Sequence, residues 1–218
     1  MTDQAARGAF IVFEGIDGSG KSTQARLLAA RLQDAGVPVH QTAEPTTGPV
    51  GTLIRNGFNR RVDLDDRVIA SLFVADRLDH ITNAHDGMLG IVERGTTVLC
   101  DRYHLSSQAY QASDVGSDWI ASSNSISTDL MLPDLTIYLD VSPEVALERL
   151  ASGRTTTDRF EVDERLRAAR ERYAEAIEQA DEVVVTVDAD RSTDELADAV
   201  WHEVSTRLDL GSLARPQG

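Results

Sequence analysis

Lysine is all but missing from this chain of 218 residues: twenty arginines accompany one lysine, Lys21. A composition that excludes lysine elsewhere and keeps it once points to a chemical task that a guanidinium does not perform. Positive charge is scarce altogether, with 21 basic residues against 36 acidic ones and a formal net charge of -15. Such a surface repels nucleic acid and anionic lipid on average, which disfavours a general DNA-binding role. Abundant Asp with scarce Lys also matches a halophilic composition, since strong screening at high salt mutes the self-repulsion of an acidic surface. Cys100 is the one cysteine, which excludes an intramolecular disulfide and a Cys-rich metal site. His40, His80, His85, His104 and His202 show no metal-ligand spacing. No apolar run approaches the roughly 20 residues that span a bilayer, so no membrane partner is expected. The opening residues, MTDQAARGAF, lack the charged-then-apolar layout of a secretory signal, and a cytoplasmic location is expected. Internal repeats and low-complexity tracts are absent from the sequence.

What is present fits one soluble globular unit, with 41% hydrophobic and 26% charged residues. Apolar runs of strand length alternate with longer segments of helical period, the pattern of a parallel sheet covered by helices. Strands are expected at 9–13, 37–42, 96–100, 135–139 and 183–187. Helices are expected at 21–34, 49–57, 66–93, 105–112, 117–127, 143–151, 161–179 and 193–207, with Gly36, Gly95 and Pro143 as stop and start signals. The expected fold class is therefore α/β, a five-stranded parallel sheet with helices on both faces, as a single domain over 1–207. The polar, Arg-bearing stretch 152–160 reads as a short mobile lid, and 208–218 as a flexible C-terminal tail.

Gly15-Ile16-Asp17-Gly18-Ser19-Gly20-Lys21-Ser22 fits G-x-x-x-x-G-K-[ST] and lies between an expected strand and an expected helix. The competing reading is a Gly-rich turn with an incidental lysine, which does not account for the agreement of motif, context and sole lysine. In the loop reading, backbone N–H groups and the helix N-terminus around Gly15 to Thr23 cradle phosphates. Lys21 reaches the β- and γ-phosphates, and the Ser22 hydroxyl holds Mg²⁺. A nucleoside triphosphate and Mg²⁺ are thus expected. The loop leaves the class of protein open. A small-molecule kinase also needs an acceptor pocket and cations that close over the transferring group. Asp101-Arg102-Tyr103 follows an expected strand, placing a carboxylate and a phosphate-gripping guanidinium at the carboxyl edge of the sheet. Phe73 and Arg77 share a helix face at i,i+4, where a ring and a donor fork could meet one planar base; on spacing alone, Phe73 as core and Arg77 as surface is the reading that wins. Glu14 and Asp140 stand at strand ends, where either could anchor a loop.

At this point the chain resembles the thymidylate kinases, P-loop nucleoside monophosphate kinases. FEGIDGSGKSTQ (13–24), AEPTTGPVG (43–51), SLFVADR (71–77), DRYHLSSQAYQ (101–111), PDLTIYLDV (133–141) and GRTTTDRFE (153–161) follow that family's order across most of the chain. The resemblance implies transfer of the γ-phosphoryl group of ATP to thymidylate, giving thymidine diphosphate for dTTP synthesis. It also implies that Phe73 stacks on thymine, Arg77 hydrogen-bonds it, and Arg102 holds the acceptor's 5′-phosphate. Ser107 and Gln111 would complete the base pocket, with Tyr110 against the deoxyribose and Asp17 beside sugar and phosphate. For Asp17 a loop-shaping Asx turn competes. In that family an extra catalytic Arg comes from the phosphate loop or the lid; the loop here has none, so Arg154 and Arg159 are the candidates, with a solvated surface pair as the alternative. Ala43 stands where many relatives have Arg, and Phe160 where some have Tyr. A noncatalytic P-loop module and a kinase for another deoxynucleoside monophosphate are the competing functions. A homodimer is expected, with 66–93 as the helix able to support it.

Overall fold

The computed structural model describes residues 7–150 and 156–214, with side chains described for 7–150 and 163–214. Five strands, β1 (Phe10–Glu14), β2 (Val39–Ala43), β3 (Thr97–Asp101), β4 (Leu135–Asp140) and β5 (Val184–Asp188), form one sheet in the order β2-β3-β1-β4-β5. Every pairing is parallel. The expected sheet is thus observed, each strand starting within two residues of its expected position. Central β1 is buried along its whole length, which is why its first four residues, FIVF, form a continuous apolar run rather than an alternating one. Phe10 and Val12 pack on one face with Ile81, Met88 and Ile91. Ile11 and Phe13 pack on the other with Leu28, Leu32 and Val200. Helices therefore cover both faces.

The helices are α1 (Lys21–Asp34), α2 (Pro49–Phe58), α3 (Asp66–Thr82), α4 (Met88–Glu93), α5 (His104–Val115), α6 (Ser117–Leu130), α7 (Pro143–Leu150), α8 (Thr156–Glu178), α9 (Thr193–Arg207) and α10 (Leu210–Leu213). Their starts carry local signals. Pro49 opens α2, Asp65 caps α3 by accepting from the Arg67 N–H, and Ser192 with Glu195 forms a capping box on α9. Phe13 of β1 lies opposite Asp101 of β3, so the loop leaving β1 and the turn leaving β3 emerge side by side at the carboxyl edge of the sheet. That adjacency places the site.

Three segments differ in their elements from the expected bounds. The helix expected over 66–93 is two helices: Asn83 leaves helical geometry at ψ 129°, and α4 starts after Gly87. Helical periodicity runs on across the break because Ile81, Met88, Ile91 and Val92 all bury into the same cluster. Helix α8 begins at Thr156, five residues early, so the second half of the expected lid is helical backbone; 152–155 lie outside the described residues. The expected tail contains α10, with Leu208, Leu210, Leu213 and Ala214 packed on the core and Asp209 capping through the Gly211 and Ser212 N–H groups. Among the described residues, no helix is long and apolar enough to cross a membrane.

Candidate active site

The segment expected to bind phosphate is a tight loop between β1 and α1. Gly15 and Gly18 adopt positive φ, and a Cβ would lie 2.7 Å from the Leu139 carbonyl oxygen at Gly15 and 2.6 Å from that of Ala146 at Gly18. Only glycine fits either place. Lys21 is the first residue of α1, and its buried ammonium donates to the Gly15 and Ile16 carbonyl oxygens at 2.9 and 3.0 Å. Burial, reinforced by the Arg102 charge, lowers its pKa to about 8. An anion in the loop raises that value and restores the full charge. A cavity of about 400 Å³ over the loop is lined by Asp17, Gly18, Gly20, Lys21, Ser22 and Thr23, joined by Asp101, Arg102 and Arg149. Gly15, Ile16 and Ser19 shape the loop from behind: the Ser19 N–H donates to the Ile16 carbonyl oxygen at 3.1 Å.

Ser22 Oγ donates to Asp101 Oδ2, while the buried Asp101 Oδ1 has no hydrogen-bond partner among the described residues. A hydroxyl and a carboxylate with an orphaned oxygen, side by side at a phosphate loop, form a hard-oxygen donor set that fits Mg²⁺. Asp101 is a residue that motif reading noted for its place but not as a metal ligand. Another group of potential ligands, Glu44, His80 and Cys100, converges to within 4.8 Å. Histidine spacing in the sequence did not suggest it. All three are already partnered: Glu44 with Arg77, His80 with Thr42 and Glu44, and Cys100 with the Arg102 carbonyl oxygen.

A second cavity, of about 380 Å³, brings together every residue expected at the acceptor: Asp17, Phe73, Arg77, Arg102, Ser107, Tyr110 and Gln111. Arg102 sits at φ 73°, a conformation that costs a non-glycine residue energy and recurs at functional sites. Its Nη1 donates to Ser106 Oγ at 3.1 Å, its Nη2 pairs with the Asp17 carboxylate, and its guanidinium lies 5.0 Å from the Tyr110 ring centre. The Asp17 N–H donates to the Tyr110 hydroxyl at 3.1 Å. Asp17, Arg102 and Tyr110 therefore form one unit. Phe73 faces the cavity beside Phe58, with ring centres 6.1 Å apart.

Arg77 is fully buried, and every nitrogen of its fork has a protein acceptor. Nε donates to Glu44 Oε2 at 2.8 Å, Nη1 to Ser107 Oγ at 3.2 Å and to Asn124 Oδ1, and Nη2 to the Tyr103 carbonyl oxygen at 3.0 Å. A base edge would have to share these donors. Ser107 Oγ accepts from Arg77 and so keeps its proton to offer the cavity, and the Gln111 amide has no hydrogen-bond partner among the described residues. For Glu44, burial raises the pKa, but Arg77 and His80 outweigh it and hold the carboxyl below its usual range.

The cavities also contain residues that sequence reasoning missed. Glu44, Pro45, Phe58, Ser106 and Arg165 line the acceptor cavity, and Arg149 lines the loop cavity with Nη1 on the Gly18 carbonyl oxygen at 3.3 Å. Asn124 reaches Arg77 from α6 across 47 positions, a contact with no local signal. Of the two lid candidates, Arg154 lies outside the described residues. Arg159 lies on the backbone of α8, its side chain outside them.

A family model described as thymidylate kinase matches residues 13–200. A thymidylate kinase of Thermomicrobium roseum is 39% identical over 206 residues, covering 93% of this chain and 97% of the relative. One from Rhodopseudomonas palustris is 38% identical over 216 residues, covering 94% and 92%. A probable thymidylate kinase of Pyrococcus horikoshii is 39% identical over 188 residues, covering 81% and 86%.

Proposed function

Because the chain belongs to the thymidylate kinase family, we propose that it transfers the γ-phosphoryl group of ATP to thymidylate, giving ADP and thymidine diphosphate. The observation that carries this reading is the junction of the two cavities: Asp17 and Arg102 line both. A triphosphate on the loop and a monophosphate in the second cavity would meet at that pair. A nucleotide-controlled binding module has no use for the second cavity.

In this reading the loop N–H groups and Lys21 hold the triphosphate, and Arg102 grips the acceptor's phosphate, whose attacking oxygen is already ionised, so no general base is needed. That oxygen forms the new P–O bond as the bond to the β-phosphate oxygen breaks, and ADP leaves. Ser22 and Asp101 would hold Mg²⁺, which when bound neutralises charge between the β- and γ-phosphates. Phe73 would stack on thymine, Ser107 and Gln111 would meet its edge, and Tyr110 would pack on the deoxyribose. Arg154 or Arg159 supplies the closing cation. Arg165, which lines the acceptor cavity from α8, supplies a positive charge in place of the arginine that Ala43 lacks. A homodimer belongs to the same proposal, supported by the exposed Trp119, Ile126 and Leu130, which share one face of α6. Coupled detection of ADP tests the activity: release of ADP should require thymidylate together with ATP, and release indifferent to thymidylate would reject the kinase reading.

A further inference from the structure

Glu14 is the last residue of β1, immediately before the phosphate loop, and its side chain is fully buried. A carboxylate in such a place is costly unless hydrogen-bonded. It has four donors. Oε1 accepts from the Tyr103 N–H at 2.8 Å and the Ser106 N–H at 3.1 Å; Oε2 accepts from Ser106 Oγ at 2.6 Å and the Tyr173 hydroxyl at 2.8 Å. Helix α5 has no side-chain cap of its own, and Ser106 is the third residue of its first turn. Glu14 thus caps α5 from a strand more than eighty positions away, with its charge at the favourable end of the helix dipole.

The same carboxylate holds Arg102 twice. On the backbone, the Arg102 N–H is tied to the Phe13 carbonyl oxygen at 2.9 Å and the next N–H, of Tyr103, to Glu14, so the left-handed residue is clamped on both sides by β1. On the side chain, the Ser106 proton goes to Glu14, which turns the hydroxyl's lone pairs to Arg102 Nη1 at 3.1 Å. We propose that Glu14 is a positioning residue that sets Arg102 for the acceptor's phosphate and fixes it in register with the phosphate loop beginning one residue later. This inference rests on the reading of Arg102 as the acceptor's phosphate grip.

Glu14→Gln is isosteric but turns an amide toward the Ser106 and Tyr173 hydroxyls, so Ser106 Oγ accepts from position 14 instead of donating to it, and its proton turns toward Tyr173 or Arg102 and no longer fixes the lone pairs that Arg102 uses. A double-mutant cycle of Glu14→Gln with Arg102→Ala tests the link, with steady-state kinetics for thymidylate and ATP. In the parent background, Glu14→Gln is expected to lower kcat/KM for thymidylate by about tenfold to a hundredfold, as misplaced positioning groups do. KM for ATP should move by less than about twofold, and in the Arg102→Ala background the further loss should also be less than about twofold. An equal loss in both backgrounds, or none in the parent, overturns the inference while leaving the Arg102 assignment standing. An Arg102→Ala variant with unchanged kinetics toward thymidylate instead overturns the assignment of Arg102, and the inference with it. If Glu14→Gln does not fold, Ser106→Ala removes the hydroxyl through which Glu14 reaches the Arg102 side chain, and a loss that is equal in the parent and Arg102→Ala backgrounds overturns the inference.

Discussion

Replacing Arg77 by Ala should cost this protein a large share of its stability, for reasons that the surroundings of Glu44 make specific. The Arg77 and Glu44 side chains are each 1% exposed and pair at 2.7 Å. Truncating the arginine leaves a buried carboxylate whose remaining side-chain partner among the described residues is His80, at 3.2 Å. Breaking one side of a buried pair costs about 3–5 kcal/mol, against a typical total of about 5–15 kcal/mol. For a chain of this size that is a drop in Tm of about 6–20 °C. The pH dependence gives the sharper readout. In the parent, Glu44 is held below its usual range, so its contribution is fully present above the unfolded-state value of about 4.3 and is lost as pH falls through the lower folded value. In Arg77→Ala, burial dominates and raises the carboxyl, so the sign reverses: stability at Glu44 declines as pH rises past the unfolded value. Urea unfolding of parent, Arg77→Ala and Arg77→Ala/Glu44→Gln between pH 4 and 8 measures this, with the double variant expected to recover part of the loss at pH 7. An Arg77→Ala protein as stable as the parent at pH 7, or a double variant no better than the single one, would refute the reasoning.

Lys21→Met should fold yet lose about a hundredfold to a thousandfold in kcat, the scale expected for one transition-state cation; near-parent kcat in the folded variant would remove the loop lysine from the chemistry. Asp101→Asn should raise the Mg²⁺ concentration for half-maximal rate by about tenfold or more with little change in KM for thymidylate, and an unchanged Mg²⁺ response would exclude Asp101 from the metal site. Arg154→Ala or Arg159→Ala should lower kcat far more than it raises KM for thymidylate, the signature of a contact made in the transition state; if both variants keep kcat, the closing cation comes from elsewhere.

Why some of this was legible in the sequence and some was not follows from distance along the chain. The phosphate loop is eight contiguous residues whose spacing is itself the chemistry, and the sheet announces itself through apolar runs buried on both faces. Phe73 and Arg77 lie one helical turn apart, so their common face could be read, and family resemblance gave that face a role. The partners that complete the site are remote. Glu14 meets Ser106 across 92 positions and Ser22 meets Asp101 across 79, with neither pair marked by composition or period. Arg77 shows the same limit: the family resemblance placed it at the base pocket, but the acceptors that occupy its donors come from α5, α6, the turn after β3 and the segment after β2. The break between α3 and α4 stayed hidden because periodicity reports which residues face a core, and both helices face the same one.

The most direct test of the account is the kcat/KM ranking of thymidylate, deoxyuridylate, adenylate and guanylate as acceptors with ATP and Mg²⁺. The acceptor cavity, with one aromatic wall at Phe73 and the Ser107 and Gln111 polar groups, predicts thymidylate first. Deoxyuridylate should follow with a loss of roughly tenfold to a few hundredfold for its missing methyl group, and both purines should be poor. A preference for adenylate or guanylate would contradict the account.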